Sequence, residues 1–152
     1  MKRWILRLRL LTLAAWLYDV DRLLVKPRTR GALVALWCQG RVLLVQASYR
    51  HELSLPGGWI NRGEAPEQAA RRELFEELGV DLPLAQFVQP WVLCERSARG
   101  ENTVWIYGVL CSEQPLIQVD GLEIVAVECL KPEQALAREL TGHLREYLND
   151  VA

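Results

Sequence analysis

Gly58-Trp-Ile-Asn-Arg-Gly63-Glu64-Ala-Pro-Glu-Gln-Ala-Ala-Arg-Arg72-Glu73-Leu74-Phe75-Glu76-Glu77-Leu78-Gly79-Val80 is the stretch that decides how this chain folds. It runs from a glycine-bounded turn into a helical pattern and stops at another glycine. Pro66 suits the first helical position, and Glu67 suits the positive end of the helix dipole. Ala70, Leu74 and Leu78 recur at i, i+4 and i+8, the apolar line of a helix lying on a sheet. Gly79 stands where a left-handed helix cap is common. Glu73, Glu76 and Glu77 are spaced i, i+3, i+4 and share one helix face, toward the flank opposite that line. Three carboxylates on one face repel unless a cation sits among them, and an oxygen-only set of this kind suits Mg²⁺ or Mn²⁺. Arg72 precedes Glu76 by four residues, the usual ion-pair spacing.

Outward from this segment, the pattern turns to strands. Gly31 to Cys38 and Arg41 to Ala47 are apolar runs rich in Val and Leu, joined by the turn signal Gln39-Gly40, and they predict a β-hairpin. Leu53-Ser54-Leu55 predicts a short strand before Pro56-Gly57-Gly58 breaks regular structure. Leu84 to Glu95 and Thr103 to Cys111 predict a second hairpin, with the turn over 96–102. Glu123 to Leu130 reads as a further strand. Pro132 opens a helical region in which Leu136, Leu140, Leu144 and Leu148 recur every fourth residue, interrupted at Thr141-Gly142. The expected class is α/β: a mixed sheet with helices on both faces.

A chain of 152 residues is one domain by length. Its net charge of -1 provides no basic field, which argues against nucleic acid as a bulk partner. The four cysteines are scattered without a paired spacing, so free buried thiols and a reducing cytoplasm are expected. Residues 1–27 read as an N-terminal helical extension and 28–152 as the domain proper. Met1 to Val25 is rich in Leu and Trp, but Arg7 and Arg9 break it, and it is too short in apolar run for a membrane span of about 20 residues. Three readings of 1–25 stand side by side: a helix packed on the domain or on a second copy in a homodimer, peripheral contact with an anionic membrane surface, and a cleaved signal segment.

The motif resembles, position for position, the signature of the Nudix (MutT-like) hydrolases: Gly, five residues, Glu, seven residues, Arg-Glu-apolar-any-Glu-Glu-any-Gly-apolar. With each fixed residue at roughly one in fifteen, a chance match is on the order of one in 10⁹ per start position. The resemblance implies a Nudix-type α/β/α sandwich with a mixed sheet and the motif as loop-helix-loop. It implies a metal-dependent hydrolase that cleaves a diphosphate bond in a nucleoside diphosphate derivative or nucleotide. It also implies roles. Glu73, Glu76 and Glu77, with the Gly58 carbonyl, hold Mg²⁺ or Mn²⁺; Arg72 orients a glutamate; Glu64 supports the loop or binds a further ion.

For the general base the residues leave two candidates, Glu73 and Glu123, the latter because Gly121-Leu-Glu123-Ile resembles the Glu-Ile that opens a late strand in many family members. Glu95, Glu101 and Glu113 are weaker rivals. Trp59 and Arg62 are the candidate substrate contacts beside the motif loop. Tyr49, Trp91, Trp105 and Tyr107 are further aromatics on which a base could stack, and Arg50, Arg96 and Arg99 are further cations for phosphate. The partner class is a small-molecule nucleotide-type substrate. Two alternatives accompany this reading: a catalytically silent nucleotide-sensing module of the same fold, and a hydrolase of a lipid-linked diphosphate at the membrane surface.

Overall fold

The computed structural model describes residues 28–97, 100–119, 121 and 123–151. The expected N-terminal helix, its membrane or dimer contact, and Arg99 lie outside the described residues. Within them, seven strands join one mixed sheet: β1 (Arg28–Cys38), β2 (Arg41–Ala47), β3 (Leu53–Ser54), β4 (Gly57–Trp59), β5 (Trp91–Ser97), β6 (Gly100–Cys111) and β7 (Ile124–Leu130). The helices are α1 (Pro66–Leu78), α2 (Pro132–Leu136) and α3 (Gly142–Val151).

The β1–β2 hairpin turns at Gln39 and Gly40, both at positive φ (51° and 73°), as a two-residue turn with the twist of its strands requires. Its two strands pair only next to that turn, at Trp37↔Val42 and Cys38↔Arg41. Beyond it they diverge. β2 then pairs β3 and β7, while β1 pairs β4 on one side and β6 on the other. The β1–β6 pairing is parallel and runs through eleven residue pairs, from Arg28↔Glu101 to Cys38↔Cys111. The segment from β3 to β4 fills the gap between the diverging strands, and the Val34 amide donates to the Pro56 carbonyl across it.

Alternation along β1 separates two cores. Ala32, Val34 and Leu36 pack with Ala69, Ala70, Leu74 and Leu78 of α1. Leu33 and Ala35 pack with Leu144, Tyr147 and Leu148 of α3 and Ala135 of α2. The sheet therefore has helices on both faces, as the sequence pattern predicts. Helix α1 ends at Gly79 in the left-handed region (φ 67°), whose N–H donates to the Phe75 carbonyl at 2.8 Å.

Three expectations change. The run Leu84 to Glu95 is not one strand: a 3₁₀ turn occupies Leu84–Gln86 and β5 begins only at Trp91. Pro83 leads into that turn and Pro90, which has no N–H to offer a ladder, stands immediately before β5. The connection of the second hairpin is also tighter than 96–102, since β5 reaches Ser97 and β6 starts at Gly100. Finally, all four cysteines are free thiols, but only Cys38 is buried; Cys111 and Cys129 are half-buried and Cys94 is exposed.

Candidate functional site

Where β1 and β2 part, two glycines bring the backbone against α1. Gly57 has φ 139°, and a Cβ there would stand 2.3 Å from the Ala32 carbonyl oxygen. Only glycine fits. A Cβ on Gly58 would stand 2.8 Å from the Glu73 carboxylate, so the loop backbone lies directly against that acid. The Gly57 N–H donates to Glu77 Oε2 at 2.8 Å.

Glu77 is therefore not on the solvated flank that helical spacing suggests. It is 8% exposed. Burial pushes its carboxyl up to about 8, although the hydrogen bond from Gly57 opposes the shift. Burial also raises the Glu73 carboxyl, with Glu76 and Glu123 adding to it and Arg72 working against it. A cluster of acids whose members resist ionisation in this way is a site in need of positive charge.

Arg72 supplies one such charge. Its Nη1 donates to Glu73 Oε1 at 2.7 Å and Glu76 Oε2 at 3.0 Å. Its Nε and Nη2 form a bidentate pair with Glu64, at 2.9 and 3.0 Å, and Nη2 also reaches the Trp59 carbonyl at 3.0 Å. Glu64 in turn accepts from the Asn61 N–H at 2.9 Å, and the Arg72 guanidinium holds its carboxyl below the ordinary range. One arginine thus ties the loop from Trp59 to Glu64 onto the helix.

These residues border a cavity of about 490 Å³. Glu73, Glu76, Glu123, Gly57 and Gly58 line part of its wall, and Tyr49, Arg50, Trp59, Asn102 and His143 line another part. Glu77 sits behind this wall on Gly57. Glu123 immediately precedes β7 rather than opening it, and its carbonyl accepts from the Ser48 N–H at 2.8 Å. The donor chemistry of this set, carboxylate oxygens beside a half-buried run of glycine backbone, fits a hard divalent cation. Among the described residues, no three carboxylate, imidazole or thiol groups stand close enough as they are to hold one ion. The reason is local: Arg72 holds Glu73 and Glu76, and Gly57 holds Glu77.

Other candidates separate. Tyr49 and Trp59, 67% and 60% exposed, border the cavity, with the Arg50 guanidinium stacked over Tyr49 at 4.9 Å. Arg62 is exposed on the motif loop and is not part of the cavity wall. Trp91 packs edge-on against Tyr147 and donates to Asp150, Trp105 lies under Arg30, and Tyr107 is buried in the α1-side core. Arg96 pairs with Glu101 across β5 and β6. Glu95, on β5, and Glu113 do not line the cavity either. Sequence reading passed over Asn102, His143 and Ser54, which lie far apart in the chain and carry no shared spacing that would have flagged them.

A family model described as NUDIX domain matches residues 26–151. RNA pyrophosphohydrolase of Proteus mirabilis (strain HI4320) is 42% identical over 57 residues, which is 36% of this chain and 32% of that protein. The enzyme of the same name from Photorhabdus laumondii is 33% identical over 93 residues, 51% of this chain and 53% of that protein. The matched stretch thus spans between about a third and half of the length of these curated relatives. Among solved structures, the MutT protein of Methanosarcina mazei Go1 superposes with a TM-score of 0.69 at 17% identity, covering 82% of this chain and 93% of that one. A Caenorhabditis elegans Ap4A hydrolase gives 0.68 at 20% identity, with 81% and 94% covered. At such identities these structures establish the fold alone.

Proposed function

Because the chain belongs to the Nudix hydrolase family, we propose that it is a divalent-metal-dependent hydrolase cleaving a diphosphate bond in a nucleoside diphosphate derivative or nucleotide. The observation that carries this reading is the convergence of Glu73, Glu76 and Glu123 with the Gly57-Gly58 backbone on one cavity, with Glu77 buried behind it. The name of the curated relatives, RNA pyrophosphohydrolase, supports the same reaction class.

Glu73, Glu76, Glu77 and the Gly58 carbonyl are the residues we assign to hold Mg²⁺ or Mn²⁺. When bound, such an ion offsets the charge of the diphosphate oxygens and lowers the pKa of a bound water. Arg72 keeps Glu73 and the Trp59–Glu64 loop in register and is a positioning residue. Glu64 buttresses Arg72. Glu73 and Glu123 both face the cavity, where either can accept the proton of an attacking water, and Glu123 is close enough to influence Glu73 and Glu77 electrostatically. Trp59, at the rim, is the aromatic we assign to the substrate. Arg62 lacks such support from the cavity wall. Four unpaired thiols support a reducing compartment such as the cytoplasm, and residues 28–152 are taken as the catalytic unit.

The test is formation of nucleoside monophosphate, read by chromatography, from a panel of nucleoside triphosphates, nucleotide sugars and dinucleotides with Mg²⁺. Wild type should turn over at least one of them. Glu77→Gln and Glu123→Gln should each lower kcat by about 10²-fold or more. An unaffected rate in Glu123→Gln removes that residue from the mechanism, and a wild type inert toward the whole panel, with Mg²⁺ or with Mn²⁺, defeats the reading.

A further inference from the structure

The cavity has a second polar region that the diphosphate chemistry does not use. β4 and β6 flank β1 on opposite sides, with Gly58 beside Ala32 and Asn102 beside Thr29. Two strand spacings of roughly 4.8 Å across the sheet and three residues of roughly 3.3 Å along β1 put Gly58 and Asn102 about 14 Å apart. That distance suits the reach from the diphosphate to the base of an extended nucleotide. The floor between them is apolar or bare: Gly31, Leu33 and Val104.

Two neutral polar groups bound this region, each braced by a threonine. Asn102 Oδ1 accepts from Thr29 Oγ1 at 2.9 Å, and Asn102 Nδ2 faces Glu95 Oε2 at 3.5 Å. A carboxylate only accepts, so these neighbours fix which way round the amide lies and leave Nδ2 a second N–H. One ring nitrogen of His143, Nε2, lies 3.1 Å from Thr141 Oγ1, and the residue lines the cavity. Burial lowers the His143 pKa, with Glu95 working against the shift and Arg50 adding to it, which favours the neutral imidazole. A neutral amide and a neutral imidazole over an apolar floor suit a heterocycle better than a phosphate. Of the charged groups of the wall, Glu73 and Glu76 lie with the glycine loop and Glu123 beside β7, while Arg50, just after β2, acts electrostatically on His143.

We propose that the region of the cavity bounded by Asn102 and His143 is a nucleobase subsite, so that a nucleotide binds with its base there and its phosphates at Glu73 and Glu76. This rests on the hydrolase reading above and adds a specificity determinant to it.

The experiment is steady-state kinetics on ATP, GTP, CTP and UTP with Mg²⁺ for wild type, Asn102→Asp, Asn102→Ala and His143→Gln, with thermal unfolding of each to exclude misfolding. The isosteric Asn102→Asp and His143→Gln keep the test usable if the alanine variant is unstable. Wild type should prefer one base by about tenfold or more in kcat/KM. The variants should raise KM for that base, narrow or invert the preference, and keep kcat within about threefold. A wild type without base preference, or variants that weaken all four nucleotides by one common factor, overturns the subsite while leaving the hydrolase reading intact. A wild type that cleaves no diphosphate-bearing substrate at all overturns both.

Discussion

Arg72 makes five hydrogen bonds to four groups, three of them carboxylates. Lysine could not replace it, because a point charge lacks the planar fork that grips Glu64 with two N–H groups and still reaches Glu73 and Trp59. Glu77 is the opposite case, an acid whose only polar partner seen here is one backbone amide. Its folded pKa of about 8 lies above the ordinary value of 4.5. Between those values the native state keeps a proton that the unfolded chain has released. This group's contribution to stability is therefore full below the ordinary value and is lost as pH rises through about 8. With a chelator present, this group should make the melting temperature of wild type fall between roughly pH 5 and 8, and Glu77→Gln should flatten that fall. Differential scanning calorimetry across the interval checks it; parallel profiles for the two proteins would count against a buried, proton-holding Glu77.

At the level of elements, the decisive unit is the wedge opened where β1 and β2 diverge. β3 and β4 fill it, and Gly57 touches both the sheet and Glu77. Gly57→Ala should cost about 2–4 kcal/mol, since it combines an unfavourable φ with a clash against backbone that cannot yield. Chemical denaturation reads that loss directly, and a midpoint within error of wild type would mean that the loop is not seated as described. Helix α1 was legible in the sequence because its signals are local: Pro66, the Ala70-Leu74-Leu78 line and Gly79 all act within one turn of where they stand. The hairpin at Gln39-Gly40 was legible for the same reason. Burial of Glu77 was not, because it depends on where a loop twenty residues earlier places its backbone. The late start of β5 was obscured by an apolar run that outweighed Pro83 and Pro90. Asn102 and His143 meet only through the sheet and α3, which no spacing encodes.

For the molecule as a whole, ion binding and folding are linked. If divalent ions bind the native acidic cluster and not the unfolded chain, Mg²⁺ at a hundredfold excess over its Kd should stabilise the protein by about 2.7 kcal/mol. The increment should vanish in a Glu73→Gln/Glu77→Gln double variant. Equal increments in the two proteins would place the ion elsewhere. The long parallel ladder between β1 and β6 has a different consequence. The strand beside the glycine loop is bound along its whole length by residues 101–111, and parallel pairings between distant segments form late because the loop-closure entropy comes first. A chain leaving the ribosome carries the full signature by residue 80, yet its cradle lacks a wall until some thirty further residues have emerged. Newly made protein should therefore acquire a competent site only after residues 101–111 have emerged and paired with β1.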